Sequence, residues 1–247
     1  MPVQDYYNNE GADRIRDIND SLLHREAICL DLIDGVIKPQ DSFVDFGCGT
    51  GWFLLQVRKR HAELVLKGVE YSQTQLENCP DDSLDLQQGD FQKPLAFEDA
   101  SLDFAYSGEV LEHLVDPDYF LRELNRVVKP GGHILLSTPN LCAWHSRILM
   151  LLGIQPIFYE SSSQDARVGF GPMRAIKKDI TPVGHLRLFS TTAMRELLEL
   201  NGFTTVKMHG CRYDYFPGGI GFFDKMVSMS PGLASGLVVL AKKTETV

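Results

Sequence analysis

Apolar positions along the chain follow two spacings in turn. Short runs rich in branched and aromatic side chains, at 43–46, 64–70, near 84–88, 102–106 and 133–138, have the length and composition of strands. Between them the apolar residues recur every three or four positions, as on one face of a helix. These stretches predict helices at 51–60, from the capping residue Ser72, and at 118–128, where Phe120, Leu121, Leu124, Val127 and Val128 form a stripe. Pro130-Gly131-Gly132 turns that helix into the fifth strand. A helix at 191–200 stops at Asn201-Gly202 and leads to strands at 203–209 and 237–242. Ahead of all this, Ile15, Ile18, Leu22, Leu23, Ala27, Leu30, Leu32 and Ile33 predict an N-terminal helical cap over 1–39, ended by Lys38-Pro39. Strand and helix alternating in this way predict an α/β fold, a doubly wound sheet with right-handed crossovers.

The regular alternation stops after Pro139. From 140 to 184 an apolar patch, 148–157, is followed by Ser161-Ser162-Ser163 and Gly169-Phe170-Gly171-Pro172. A long irregular stretch in a compact domain usually serves a site, so 140–184 is expected to be an insertion, a lid or binding loop and a candidate cover for an acceptor. His145, Arg147 and the apolar run after them suit a lid helix or a helix packed on the sheet, with packing the plainer reading. The aromatic loop from Tyr213 to Phe223 is an acceptor wall or packing over the sheet edge. Arg167, Arg174, Lys177 and Lys178 are available to an acidic substrate group, though loop charges are more often simply solvated.

Length and charge narrow the classes. The 247 residues, 44% apolar, are enough for a single domain with one large core, 1–247. A net charge of −9 disfavours extended contact with nucleic acid or anionic lipid and leaves room for a local basic patch, so small-molecule or protein partners are expected. Five scattered cysteines without C-x-x-C spacing give no zinc or redox motif and suit a reducing cytoplasm. No apolar run approaches the roughly 20 residues that span a bilayer.

The chemistry begins at the end of the first strand. Phe43-Val-Asp-Phe-Gly-Cys-Gly-Thr-Gly-Trp-Phe53 places Asp45 before glycines on alternate positions, Gly47, Gly49 and Gly51. Such a turn lets backbone approach a ligand and admits positive φ. A dinucleotide turn usually reads Gly-x-Gly-x-x-Gly with no acid just before it, and a diphosphate would be repelled by Asp45. An acid there suits a cationic ligand such as the ammonium and sulfonium of S-adenosylmethionine. This excludes an NAD-dependent oxidoreductase as the leading reading.

Further motifs stand in order behind this one. Glu70 ends the second strand, Gly89-Asp90-Phe91 follows the third, Glu109-Val110-Leu111-Glu112-His113 follows the fourth, and Val128-Lys129-Pro130-Gly131-Gly132 and Gly184-His185-Leu186-Arg187-Leu188-Phe189 come later. Together they make the chain resemble a class I S-adenosylmethionine-dependent methyltransferase, of the ubiquinone O-methyltransferase-like or MetW-like kind. The resemblance covers about 40–140 and the stretch from Gly184 to Phe203. It implies a Rossmann-like, three-layer αβα fold around a seven-stranded, mostly parallel sheet whose last strand is antiparallel and inserted beside the fifth. It also implies a donor site formed by Asp45, Gly47, Cys48, Gly49, Gly51, Glu70, Tyr71, Asp90, Phe91, Ser107 and Glu109. Within it, Glu70 would take the ribose hydroxyls, Asp90 the adenine amino group with Phe91 as apolar wall, and Ser107 and Gly108 the methionine arm, with Cys48 and Trp52 packed around the cofactor; Asp90 is otherwise a turn former and Trp52 an ordinary core residue.

Transfer of a methyl group from a sulfonium is an in-line displacement that needs no covalent enzyme intermediate, and a hydroxyl acceptor must lose a proton. His113 and His185 are the candidate general bases, and His185, just past the insertion, could equally bring a fourth ligand to Glu109, Glu112 and His113 or be a loop histidine bonded to backbone. Glu109, Glu112 and His113, at helical spacing, would share one face. That is either a capped first turn or a divalent cation site for Mg²⁺ or Mn²⁺, and the capped turn is preferred. The expected activity is methyl transfer to an O or N atom of a small-molecule, glycan or lipid-like acceptor. The alternative is a MetW-like cofactor-binding protein acting with a partner enzyme; a homodimer is also compatible.

Overall fold

A computed structural model of the protein describes residues 20–175, 177 and 180–244. The core is a seven-stranded sheet in the order β3-β2-β1-β4-β5-β7-β6. Its strands are β1 (Ser42–Phe46), β2 (Val65–Glu70), β3 (Asp85–Gln88), β4 (Leu102–Gly108), β5 (Val128–Pro139), β6 (Phe203–Cys211) and β7 (Gly236–Lys243). β7 runs antiparallel between β5 and β6, while β1 to β5 pair in parallel. The helices are α1 (His24–Asp34), α2 (Trp52–Arg60), α3 (Gln73–Glu77), α4 (Pro117–Val127), α5 (Trp144–Leu151), α6 (Thr191–Leu200) and α7 (Gly218–Val227).

The pleat sends alternate side chains into two separate apolar layers. Phe43, Leu135, Val238 and Leu240 face the layer formed with α1 and α2, through Cys29, Leu30, Ile33, Leu54 and Val57. Val44, Phe46, Ile134, Leu136, Leu237 and Val239 face the other, closed by Phe120, Leu121 and Leu124 of α4 and Met194 and Leu198 of α6. Phe43 stacks on Phe104 across β1 and β4 at 5.3 Å, and Phe46 meets Phe91, Phe97 and Phe120 edge-on. Burial on both faces is why β1 reads as a nearly continuous apolar run broken only by Asp45. Strand order reverses between β1 and β4, and crevices at such a reversal, beyond the carboxyl ends of the strands, are where doubly wound sheets bind ligands.

The structure departs from the sequence expectations in several places. Helix α1 ends at Asp34 with Gly35 as its cap, well before Pro39, because Leu32 and Ile33 are its last core-facing positions. Ile15 and Ile18 lie outside the described residues. Pro130-Gly131-Gly132 belongs to β5 rather than to a free turn: pairing jumps from Leu102↔Val128 to Phe104↔His133, and Gly131 takes φ +78° in the irregularity. The 140–184 stretch is only partly irregular, since it holds α5 and a 3-10 turn at Gly171–Ala175. The aromatic segment expected as a loop becomes α7 from Gly218 onward.

Candidate functional site

At the β1–β4 reversal lies a cleft of about 580 Å³. The glycine turn forms its floor. A Cβ on Gly47 would stand 2.3 Å from Val110 Cγ2, and its φ of +95° already excludes most side chains, so this glycine is demanded by the protein itself. Gly49 differs: the nearest protein atom to its hypothetical Cβ is Gln75 Oε1 at 3.7 Å, so it keeps the backbone accessible where nothing in the protein crowds it. The turn is fastened to β2, with Gly47 and Cys48 N–H donating to the Val69 carbonyl and Gly49 N–H to Glu70 Oε2 at 2.9 Å.

Two acids dominate the cleft. Asp45 is 1% exposed, and its Oδ1 is buried with no hydrogen-bond partner among the described residues. Burial, and then the Glu70 carboxylate, push its carboxyl well above the ordinary range. Glu70 is raised too, by burial, against the lowering effect of N–H groups donated by Ser72 and Gly49. Unmet acceptor capacity beside a second acid favours a ligand that brings positive charge or N–H and O–H donors. A sulfonium-bearing adenosine with an ammonium group meets that requirement: Asp45 and Glu70 can take its charged and hydroxyl groups, and the bare Gly49 backbone leaves room for its close approach.

Of the residues expected at the donor site, Gly47, Cys48, Gly49, Glu70, Tyr71, Asp90, Phe91 and Glu109 line the cleft with Asp45, as do Trp52 and Gly108. Gly51 sits behind the turn as the left-handed N-cap of α2. Ser107 is turned away: its hydroxyl donates to the Phe46 carbonyl at 2.9 Å inside the sheet, so its neighbour Gly108 contributes to the wall instead. Asp90 already accepts from Gln92 N–H at 2.9 Å and pairs with Lys93 at 3.2 Å, which fixes its carboxylate at the rim.

Glu70 has a second task that its sequence position does not disclose, since its two oxygens hold Gly49 and Ser72 N–H at 2.9 Å. Glu70→Ala is therefore expected to weaken donor binding by about 1–3 kcal/mol through loss of charged hydrogen bonds and a looser glycine turn. Calorimetry with the demethylated product checks this, and unchanged affinity overturns the ribose assignment.

A second cavity of about 430 Å³ adjoins the first and shares Arg25, Glu109, His113 and Val183 with it. Its walls come from the insertion, through Ile157, Phe158 and Glu160, and from the stretch after β6, through Tyr213 and Tyr215. Glu109 stands at the junction with a left-handed φ of +57°, uncommon for a residue other than glycine and found where surrounding contacts impose it. Those contacts are its N–H to the Ser137 carbonyl at 2.9 Å, the Ser137 hydroxyl on Oε1 at 3.2 Å, and Arg25 at 3.4 Å.

The Glu109, Glu112 and His113 side chains do not share one helical face as their spacing suggested. Only Leu111–His113 forms a turn, of the 3-10 kind, and Glu109 precedes it in the left-handed region. Glu112 points inward instead, fully buried, accepting from the Thr138 hydroxyl at 3.0 Å through Oε2. Its Oε1 has no hydrogen-bond partner among the described residues, and burial, then Glu109, hold its carboxyl well above the usual range.

His185 arrives from the far end of the insertion. Its Nε2 is 4.0 Å from Glu112 Oε1, and its ring lies 4.9 Å from that of His113. His113 Nδ1 donates to the Gly184 carbonyl at 3.1 Å and His185 Nδ1 to the Phe158 carbonyl at 2.7 Å. A carbonyl only accepts, so each neutral ring carries its proton on Nδ1 and its basic lone pair on Nε2. Glu160 sets this arrangement by accepting from the N–H groups of Val183, Gly184 and His185 at 2.7, 2.7 and 3.1 Å.

Arg25 and Glu160 escaped the sequence reading. Arg25 is the charge beside Glu26 in an otherwise apolar helical stripe, a faint signal; Glu160 offers none, because its partners lie more than twenty positions downstream. The insertion's cations are held by the insertion itself. Arg167 and Arg174 pair with Asp165, and Lys177 donates to the Ile157 and Ala166 carbonyls. Lys178 lies outside the described residues.

Residues 44–136 match the methyltransferase domain family. The chain is similar to a mitochondrial ubiquinone biosynthesis O-methyltransferase of Dictyostelium discoideum, 30% identical over 47% of this chain and 40% of that one. It is also similar to a malonyl-[acyl-carrier protein] O-methyltransferase of Hahella chejuensis, 30% identical over 40% of this chain and 37% of that one. The match thus spans well under two thirds of either relative. In fold it resembles an S-adenosylmethionine-dependent methyltransferase of Thermotoga maritima, described as a possible histamine N-methyltransferase, with TM-score 0.64, 18% identity, and 98% of this chain and 100% of that one covered. Sheet order and the glycine turn agree with the match of residues 44–136 to the methyltransferase domain family, and the fold is that of an S-adenosylmethionine-dependent methyltransferase. Among its described residues no helix is long and apolar enough to cross a membrane.

Proposed function

We propose that the protein transfers a methyl group from S-adenosylmethionine, held in the acidic cleft, to an oxygen or nitrogen of a small-molecule or lipid-like acceptor held in the adjoining cavity. The observation that carries this reading is the junction of the two cavities at Arg25, Glu109, His113 and Val183. The bound donor supplies an electrophilic methyl carbon on a positively charged sulfur. Asp45 and Glu70 anchor the donor from the β1 and β2 ends, and the glycine turn lets its methionine portion lie against backbone. Phe91, Val110 and Leu114 keep water from the cleft wall, and Ile157, Phe158 and Tyr213 do so on the acceptor side. His113 Nε2, at the junction, would take the proton that the acceptor loses on methylation, with His185 Nε2 behind it on the acceptor side. Alignment of nucleophile, carbon and sulfur by these walls supplies much of the remaining rate.

Calorimetry with S-adenosylhomocysteine, followed by a screen of hydroxyl and amine acceptors with methyl-labelled donor, tests the proposal. Micromolar binding and label transfer are expected. No association with donor or product sinks it, and binding without transfer to any acceptor favours the cofactor-binding partner role.

A second reading has its own support. Glu112, His113 and His185 each offer a ligand atom within 4.8 Å of the others, and both imidazoles donate Nδ1–H to a carbonyl, as metal-bound histidines usually do with the nitrogen that faces away from the metal. His185 takes the place that the sequence reading gave to Glu109. Two imidazoles and a carboxylate suit Mn²⁺, Fe²⁺ or Zn²⁺ better than Mg²⁺, and such a cation would lower the pKa of an acceptor hydroxyl. On this reading chelator abolishes turnover and Mn²⁺ restores it, with a gain in melting temperature when Mn²⁺ is added to wild type but not to Glu112→Gln. Turnover and melting indifferent to chelator remove the cation.

A further inference from the structure

Helix α7 is built inside out. Among its residues, Asp224 is fully buried, while Ile220, Phe222, Phe223 and Met226 are exposed, Phe222 at 67%. The helix is fastened by its acid: Asp224 accepts from Trp144 Nε1, Tyr213 N–H and the Ser235 hydroxyl, each at 2.7 Å. Trp144 in turn meets Phe223 edge-on at 5.0 Å. Ile148 and Leu151 lie one and two turns further along the same face of α5, and Leu151 is 87% exposed. The two helices therefore present one apolar surface, of a kind that soluble monomers rarely leave bare.

The charges on this surface choose its partner. The chain carries a net charge of −9, yet the exposed charged side chains of α5 and α7 are Arg147 and Lys225, since the one acid is turned inside. Aromatic and aliphatic residues flanked by cations suit the headgroup region of an anionic bilayer, where apolar side chains enter and basic ones meet lipid phosphate. Position agrees: Phe216 packs near Trp144, and the exposed Tyr215 beside it lines the second cavity. The overall negative charge remains unfavourable to extended anionic contact, and this face is the local exception to it.

We propose that the α5–α7 face docks the protein peripherally on an anionic lipid surface. Docking stands on this surface alone; delivery of an amphiphilic acceptor from the bilayer into the second cavity rests on the methyl-transfer reading above.

Co-sedimentation of the full chain with vesicles of phosphatidylcholine, with and without phosphatidylglycerol, tests it. Bound protein is expected to rise with phosphatidylglycerol and to fall with salt. Phe222→Ser with Met226→Ser should reduce vesicle affinity about tenfold or more while melting temperature and S-adenosylhomocysteine affinity hold. Lys225→Glu should lower binding to phosphatidylglycerol vesicles alone. Protein that stays in the supernatant at every composition overturns docking, as does a wild-type dimer that these substitutions dissociate without any vesicle binding, which would assign the face to a second copy. Donor calorimetry is independent of either result, so failure here is separable from failure of the methyl-transfer reading.

Discussion

Alanine at both His113 and His185 is expected to lower methyl transfer about 10²–10⁴-fold, the usual contribution of a positioned base. The affinity for S-adenosylhomocysteine should not change, because neither imidazole is needed to anchor the donor. His113→Ala alone should account for most of the loss, since His113 borders both cavities and His185 borders only the second. His185→Ala acts partly through the neighbouring ring 4.9 Å away and should raise the acceptor KM as well. Single-turnover rates with the acceptor that supports transfer, beside calorimetry with the product, make the measurement. Full activity in the double variant dismisses both imidazoles from the chemistry, as base and as ligand.

Asp45→Asn should move stability and donor binding in opposite directions. In the free protein the carboxylate is buried next to Glu70 with an unmet oxygen, so removing its charge should stabilise the fold by about 1–2 kcal/mol near neutral pH. Donor affinity should fall by about 1–3 kcal/mol, because a charged hydrogen-bond acceptor for the ligand is lost. The sign of the pH dependence follows from the raised carboxyl. The folded state holds its proton more tightly than the unfolded chain, whose carboxyl titrates near 3.8, so this group's destabilisation grows as pH rises from there through the folded value. The stability advantage of Asp45→Asn should therefore be full above that value and vanish below about pH 4. Chemical denaturation of both proteins between pH 4 and pH 8 tests this, and an advantage independent of pH assigns the effect to packing. The pattern is that of a binding site whose free form is strained for the sake of its ligand.

The sheet and the glycine turn at the end of β1 were legible because they rest on local rules. A parallel strand buried on both faces must be apolar, a backbone that approaches a ligand must lack Cβ, and a helix stop shows itself as Asn201-Gly202. What escaped depends on partners distant in sequence. Ser107 looks like a site residue by position, yet its hydroxyl is claimed by Phe46 across the sheet. The pairing of His113 with His185 spans the whole insertion, through Gly184, Phe158 and Glu160. Glu109 was misplaced because helical spacing was extended one turn too far; its left-handed backbone turns the carboxylate to Arg25 instead of Glu112. Helix α7 defeated pattern reading for the opposite reason, since its apolar residues point outward and its acid inward.

The place of β7 bears on how the molecule assembles. β6 has β7 as its strand neighbour, and β7 alone connects it to β5. β6 therefore cannot join the sheet ahead of the strand that follows it, and the two must arrive as a preformed antiparallel pair or in quick succession. Until then the flank of β5 stands as an open edge, inviting association with other chains, and the closing step waits on contacts between segments separated by some hundred positions.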